Sequence, residues 1–169
     1  MLLYKDIISG DEMFSDAFKI TEVDDIAYEV DCKMITVREG CDVDIGANAS
    51  AEGEDQEELE DGVQQVNDVI YSFRLQETSF QKKSYMVYIK DYMKQLKKTL
   101  AEKNPERLAI FEKKIQPFVK KILEKFDDYE FLVGESMSPE GLVALLNYRE
   151  DGITPYITFF KDGLTEEKL

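Results

Sequence analysis

Asp42, Asp44, Gly46, Asn48 and Ser50 recur at every second position, the step at which a calcium loop presents its first oxygen ligands. Carboxylate and amide oxygens at that spacing could hold a hard divalent cation. A complete loop of this kind also needs glycine at its sixth position and a bidentate glutamate at its twelfth. Here those positions are Ala47 and Gly53, and no helical pattern flanks them, so the EF-hand reading fails. Two readings stay open: a solvated acidic loop, or a flexible oxygen-rich loop that binds calcium weakly because ordering it costs chain entropy. Other chemistry is scarce. The chain has no histidine, and so lacks the commonest general base near neutral pH and the commonest metal ligand. Cys32 and Cys41 are too few and too loosely spaced for a disulfide framework and form no Cys-x-x-Cys half-site, which predicts two reduced thiols and no structural zinc. Ile45-Gly46-Ala47-Asn48 leads into acids, not from a strand into a helix, so it does not read as a phosphate loop. No serine or cysteine nucleophile has an evident base partner.

The second group of candidate residues is cationic. Of the net charge of −15, residues 1–80 contribute 21 acids against 5 bases and residues 126–169 contribute 10 against 3. Residues 81–125 reverse the sign, with 13 bases against 5 acids. One basic block thus stands between two acidic segments, a polarity that presents opposite faces to differently charged partners. Within the block, Lys90, Lys94, Lys97 and Lys98 fall largely off an apolar stripe formed by Tyr85, Ile89, Tyr92, Leu96 and Leu100. They are either a solvated helix face or a docking surface for an acidic partner. Nucleic acid is disfavoured by the overall negative charge and by aromatics that lie on the inward stripe.

The elements that position these residues follow from periodicity. Phe18 and Ile20, then Ile26, Tyr28 and Val30, alternate with polar positions, and Met34-Ile35-Thr36-Val37 is β-rich; short strands are predicted from Ala17 to Arg38, with a hairpin turn at Asp31-Cys32-Lys33. Residues 40–62 hold four glycines and an acidic run with little to bury, and read as a mobile acidic loop. Val66, Val69, Ile70, Tyr71 and Phe73 restart a strand. Helix is predicted from Thr78, where Thr78-x-x-Gln81 has capping-box spacing. Asn104-Pro105-Glu106 suits the start of a second helix, whose stripe is Leu108, Phe111, Ile115, Phe118, Ile122 and Phe126, with a kink or a break at Pro117. The short connection makes residues 78–126 an antiparallel hairpin. Strands return at Tyr129–Val133, Leu142–Leu146 and Tyr156–Phe160, punctuated by Gly134, Gly141, Gly152 and Gly163. Strands, one helical hairpin and more strands make an α+β chain, and 169 residues with 43% hydrophobic side chains suit one domain. The longest uninterrupted apolar run is Leu142–Leu146, too short to insert in a membrane, and the charged start Lys5-Asp6 is not a secretory leader, so the expected location is cytoplasmic.

Several motifs resemble those of the translationally controlled tumour protein (TCTP) family. Ile45-Gly46-Ala47-Asn48-Ala49-Ser50-Ala51-Glu52-Gly53 is similar to its first signature, and Phe126-x4-Phe131-Leu-Val-Gly134-Glu135-x5-Gly141-Leu-Val143-x4-Tyr148 to its second. Ser9-x-Asp11-Glu12-Met13-Phe14-Ser15-Asp16, Leu75-Gln-Glu-Thr-Ser-Phe80, Tyr88-Ile-Lys-Asp-Tyr-Met93, Tyr148-Arg-Glu-Asp-Gly152 and Phe159-Phe-Lys-Asp-Gly163 also fit, in order and over the whole length. The resemblance implies a β-tent core of antiparallel strands, related to guanine-nucleotide-exchange-like proteins, with a projecting helical hairpin. It implies a non-enzymatic cytosolic protein that binds calcium and tubulin or microtubules, promotes growth and survival, and is sometimes exported without a signal peptide. The hairpin lysines Lys90, Lys94, Lys97 and Lys98 would carry the tubulin contact. Asp11, Glu12 and Met13 would contact a Rheb-like small GTPase in an alternative role as exchange regulator, and an N-terminal segment is linked to Bcl-2-type anti-apoptotic proteins. Glu12, Asn48, Glu52 and Glu135 would be the contributors to weak calcium binding. Two departures matter: the chain ends in Leu169 and not in cysteine, which predicts no terminal-cysteine disulfide dimer, and Asp42-Val43-Asp44 stands where some members carry a phosphorylated serine.

Overall fold

The structure is a computed structural model, and it describes residues 1–38 and 63–168. Eleven strands are present among them. They are β1 (Leu2–Asp6), β2 (Glu12–Ser15), β3 (Ile20–Val23), β4 (Ala27–Asp31), β5 (Met34–Arg38), β6 (Val63–Asn67), β7 (Gln76–Thr78), β8 (Glu130–Val133), β9 (Ala144–Tyr148), β10 (Pro155–Phe160) and β11 (Leu164–Lys168). Three α-helices accompany them: α1 (Asp68–Phe73), α2 (Lys82–Lys103) and α3 (Pro105–Glu124). The strands form a six-stranded sheet in the order β3-β4-β10-β9-β8-β7, a three-stranded sheet β11-β1-β2 and a ribbon β5-β6, with every pairing antiparallel.

Strand β10 explains how the layers stack. Successive side chains of a strand point to opposite faces. Phe159 meets Phe14 of the three-stranded sheet at 4.5 Å between ring centroids, and Tyr4 stacks on Phe14 at 4.4 Å. Phe160, on the other face, meets Tyr92 of α2 and Phe118 of α3, each at 5.9 Å. The strand is therefore covered on both sides, which accounts for its near-continuous apolar sequence. The buried side chains of α2 are Tyr85, Ile89, Tyr92, Leu96 and Leu100, the stripe expected from sequence. Those of α3 are Phe111, Ile115, Val119 and Ile122, so Val119 takes a core place that the periodicity had assigned to its half-buried neighbour Phe118.

The helix connection forms as its residues dictate. Asn104 accepts a hydrogen bond from the Arg107 amide through Oδ1, and Pro105 fills the first helical position, where its missing N–H costs nothing. Helix α3 continues through Pro117 as one element, without the break allowed for there. Three other expectations need correction. Thr78 does not start a helix: it pairs with Phe131 in β7, and α2 starts after Gln81, whose side chain makes no capping bond. The stretch from Val69 to Phe73 is helical, because Asn67 Oδ1 accepts from the amides of Val69 (3.0 Å) and Ile70 (3.2 Å) and Asp68 complements the first turn. That cap outweighs the β preference of its valine and aromatics. Asp31–Lys33 is not a hairpin turn either. Strand β4 pairs with β3 and β10, while the Cys32 amide bonds Pro155 O (2.9 Å) and the Lys33 amide bonds Asp68 Oδ1 (2.9 Å), which hands the chain from the large sheet to the ribbon. The actual hairpin is β3–β4. Asp24 and Asp25 both adopt positive φ (52° and 59°) in its turn, and the Ile26 amide bonds Val23 O. The acidic segment 40–62 lies outside the described residues.

Candidate functional site

Helix α2 carries the lysine cluster. At about 100° per residue, Lys90, Lys94, Lys97 and Lys98 fall within roughly 100° of arc, opposite the stripe that α2 buries. Lys90, Lys94 and Lys98 are exposed and Lys97 is half-buried. None of the four has a carboxylate of the described residues within 4.0 Å. Other cations are consumed internally. Arg107 donates from Nε to Asp162 Oδ1 (2.6 Å), from Nη2 to Asp162 Oδ2 (2.8 Å) and from Nη1 to Asp25 Oδ2 (2.9 Å). Lys161 reaches Glu22 and Asp25, each at 2.9 Å, and Arg149 binds Asp31 and Glu29 while stacking over Tyr156 at 4.0 Å. On α3, Lys114 and Lys121 lie 3.8 Å from Asp25 and Asp24. The acidic body thus absorbs the basic residues that face it. The α2 lysines face away.

Arg107 matters to this face although no motif marked it. Its side chain is 13% exposed, and it ties the first turn of α3 both to the β3–β4 turn and to the turn before β11. Hydrogen bonds donated to Asp162 hold the guanidinium pKa above its usual range. Hydrogen bonds from Lys161, then Arg107, hold the Asp25 carboxyl below the usual carboxylate range. The hairpin is therefore fastened to the sheet by charge as well as by apolar packing.

Of the other candidates, Asp11 and Glu135 lie at the loop between β8 and β9. Asp11 Oδ2 accepts from the Ser136 hydroxyl (2.6 Å) and amide (3.3 Å), and lies so close to Gly134 that a Cβ there would meet it at 2.3 Å. Only glycine fits. Glu12 is exposed, whereas Met13 is fully buried in the core, so its side chain offers no surface to a partner. Glu135 is exposed and pairs with Arg74 at 3.1 Å. Asn48 and Glu52 lie outside the described residues. Among the described residues no group of three or more aspartates, glutamates or cysteines converges on a cation site. Cys32 is buried, and burial pushes its thiol up to about 12, the state of an inert core residue. Cys41 lies outside the described residues.

Sequence reasoning missed two residues that shape the loop. Asp6, buried in β1, accepts from the Ile8 amide (2.9 Å), the Ser9 hydroxyl (2.7 Å) and the Leu142 amide (2.8 Å). Tyr88 donates to Gly141 O (2.7 Å) and accepts from the Val143 amide (3.0 Å). The available signal was a carboxylate closing an N-terminal strand that opens Leu2-Leu3-Tyr4, and a third aromatic on α2 beside the buried stripe. No helix among the described residues is long and apolar enough to cross a membrane.

These features place the chain among α+β proteins in which an antiparallel β core carries a helical hairpin with a basic outer face. The family model described as translationally controlled tumour protein matches residues 1–165. The chain is 63% identical to the translationally controlled tumour protein homolog of Schizosaccharomyces pombe, over the full length of both, and its fold superposes on that relative's solved structure with a TM-score of 0.84. It is 53% identical to the homolog of Saccharomyces cerevisiae, again over all of both chains. The solved structure of the Caenorhabditis elegans protein, at 31% identity and covering 100% of this chain and 99% of that one, gives a TM-score of 0.73. The chain belongs to the translationally controlled tumour protein family, with the α+β β-tent fold that the motifs implied.

Proposed function

We propose that this chain is a non-catalytic binding protein whose α2 face docks an acidic protein surface, with tubulin or microtubules as the partner that the family resemblance implies. One observation carries the reading: Lys90, Lys94, Lys97 and Lys98 share one arc of α2, and no carboxylate of the described residues pairs with them. Cations without a described partner on one helix face contribute to encounter rate and orientation more than to raw affinity, and their effect is screened by salt. Wild-type protein is expected to pellet with microtubules in a salt-sensitive manner, and a variant with Lys90, Lys94 and Lys97 each changed to Glu is expected to stay in the supernatant. Equal pelleting of the two proteins would remove this reading.

A second reading attaches to Glu12. It is the member of the Asp11–Met13 trio whose side chain stands in solvent, at the start of a strand held by Asp11 on one side and the Met13 core contact on the other. As a regulator of a Rheb-like GTPase the chain would accelerate nucleotide release, and Glu12→Val would abolish the effect. A fluorescent-nucleotide exchange assay in which wild-type protein leaves the release rate unchanged ends that reading. Weak calcium binding through Glu12, Asn48, Glu52 and Glu135 stands apart from both readings: Glu12 and Glu135 are exposed, and Asn48 and Glu52 lie outside the described residues.

A further inference from the structure

Beside the lysine arc lies a groove of ≈ 700 Å³ between the first half of α2 and the loop joining β8 to β9. Phe80, Tyr88, Val133 and Val143 line its apolar part. Val87 on α2 and Met137 on the loop also line it and are left in water, at 62% and 54% exposure. Two features separate this groove from an ordinary surface hollow. Met137 adopts φ +55°, a left-handed conformation that methionine rarely takes, so the loop holds an apolar side chain in solvent at a cost in backbone strain. The loop is also fixed at three points, by Asp11 on Ser136, Asp6 on the Leu142 amide and Tyr88 on Gly141 and Val143. Strain, exposure and fastening together describe a preorganised apolar receptor, which loses little freedom when it is filled.

The charges around the groove indicate its occupant. Lys94 belongs both to the groove lining and to the lysine arc, and Lys90, Lys97 and Lys98 extend the arc along the same helix. Asp91 and Glu140 also line the groove and oppose an acidic occupant locally; the four lysines outnumber them. We infer that the groove receives the apolar side chains of an acidic amphipathic segment of the partner, whose carboxylates lie along Lys90, Lys94, Lys97 and Lys98. This inference rests on the docking reading above and adds an anchor to it: charge brings the partner to α2, and one or two large apolar side chains between Val87 and Met137 hold it.

Three fluorescent peptides of about 16 residues, long enough to span four helical turns, test it by anisotropy. One has leucine at i, i+3, i+4 and i+7 with glutamate at the charged positions; the second replaces each leucine by alanine; the third keeps leucine and replaces glutamate by lysine. The leucine–glutamate peptide is expected to bind most tightly. Val87→Asn and Met137→Asn, neutral changes at exposed positions with asparagine suited to the left-handed site, are each expected to weaken it about tenfold and to leave the alanine–glutamate peptide unaffected. Changing all four lysines to Glu weakens both acidic peptides. If both acidic peptides bind equally and neither asparagine variant matters, the groove inference fails while the docking reading stands. If neither acidic peptide binds, both fail. Tighter binding of the leucine–lysine peptide would show that Asp91 and Glu140 govern the groove and would overturn the assignment.

Discussion

At the scale of single residues, burial decides what each group can do. The Cys32 thiol, raised by burial to about 12, stays protonated across the physiological range. At about pH 8, where an exposed thiol of ordinary pKa reacts readily, the folded chain is expected to leave Cys32 unmodified by iodoacetamide until urea unfolds it, as read by peptide mass mapping. Tyr92 is fully buried, its hydroxyl has no hydrogen-bond partner among the described residues, and a Cβ on Gly163 would lie 1.9 Å from that oxygen. Gly163→Ala is therefore expected to cost about 1–3 kcal/mol in urea unfolding. Adding Tyr92→Phe removes the clashing atom and should recover part of the loss; additive costs would place the strain elsewhere. Asp25 titrates below the usual carboxylate range because Lys161 and Arg107 donate hydrogen bonds to it. Its folded pKa is depressed, so its stabilising contribution is present above the unfolded value of about 3.9 and is lost as pH falls through the folded one. The urea midpoint of Asp25→Asn should accordingly be lower near neutrality and fall less steeply in acid than that of the wild type.

At the scale of elements, the legible parts were those with a long local period. The buried stripe of α2 and the Asn104-Pro105 start of α3 could be read because each is set by residues within a few turns of one another. Strands β1, β2 and β11 could not be read. Leu2–Asp6 is buried or half-buried on both faces and does not alternate, Glu12–Ser15 is four residues long, and Leu164–Lys168 is mostly exposed, so none carries a period-two signal; they exist because they pair with one another across the chain termini. The helical turn at Asp68–Phe73 escapes a reading from periodicity because one capping asparagine outweighs four β-favouring residues. Of the candidate site, the lysine arc was visible as a pattern. The fastening of the loop by Asp6, Asp11 and Tyr88 was not, since each bond joins residues more than 50 positions apart. Arg107 is the element-scale test. Arg107→Ala leaves Asp162, 5% exposed, without its cation, and should cost about 3 kcal/mol. Single Lys→Glu changes at Lys90, Lys94 or Lys98 should move stability by less than about 0.5 kcal/mol.

At the scale of the whole molecule, the charge asymmetry of the sequence becomes a spatial one. Cations facing the β core are neutralised by its carboxylates, and those on the outer side of α2 have no partner among the described carboxylates. A chain of net charge −15 is then expected to approach an acidic partner through its helical hairpin, where the exposed cations are concentrated. Helix α3 offers the control, since Lys113, Lys120 and Lys125 are also exposed, without a described carboxylate in reach, yet lie on the neighbouring helix away from the groove. The most direct measurement compares microtubule affinity, by co-sedimentation titration at fixed ionic strength, of the wild type with two variants of nearly matched charge: Lys90, Lys94, Lys97 and Lys98 to Glu, and Lys113, Lys120 and Lys125 to Glu. The α2 variant should lose at least about tenfold in affinity and the α3 variant much less. Equal losses would mean that net charge alone governs binding, and no loss in the α2 variant would contradict the account outright.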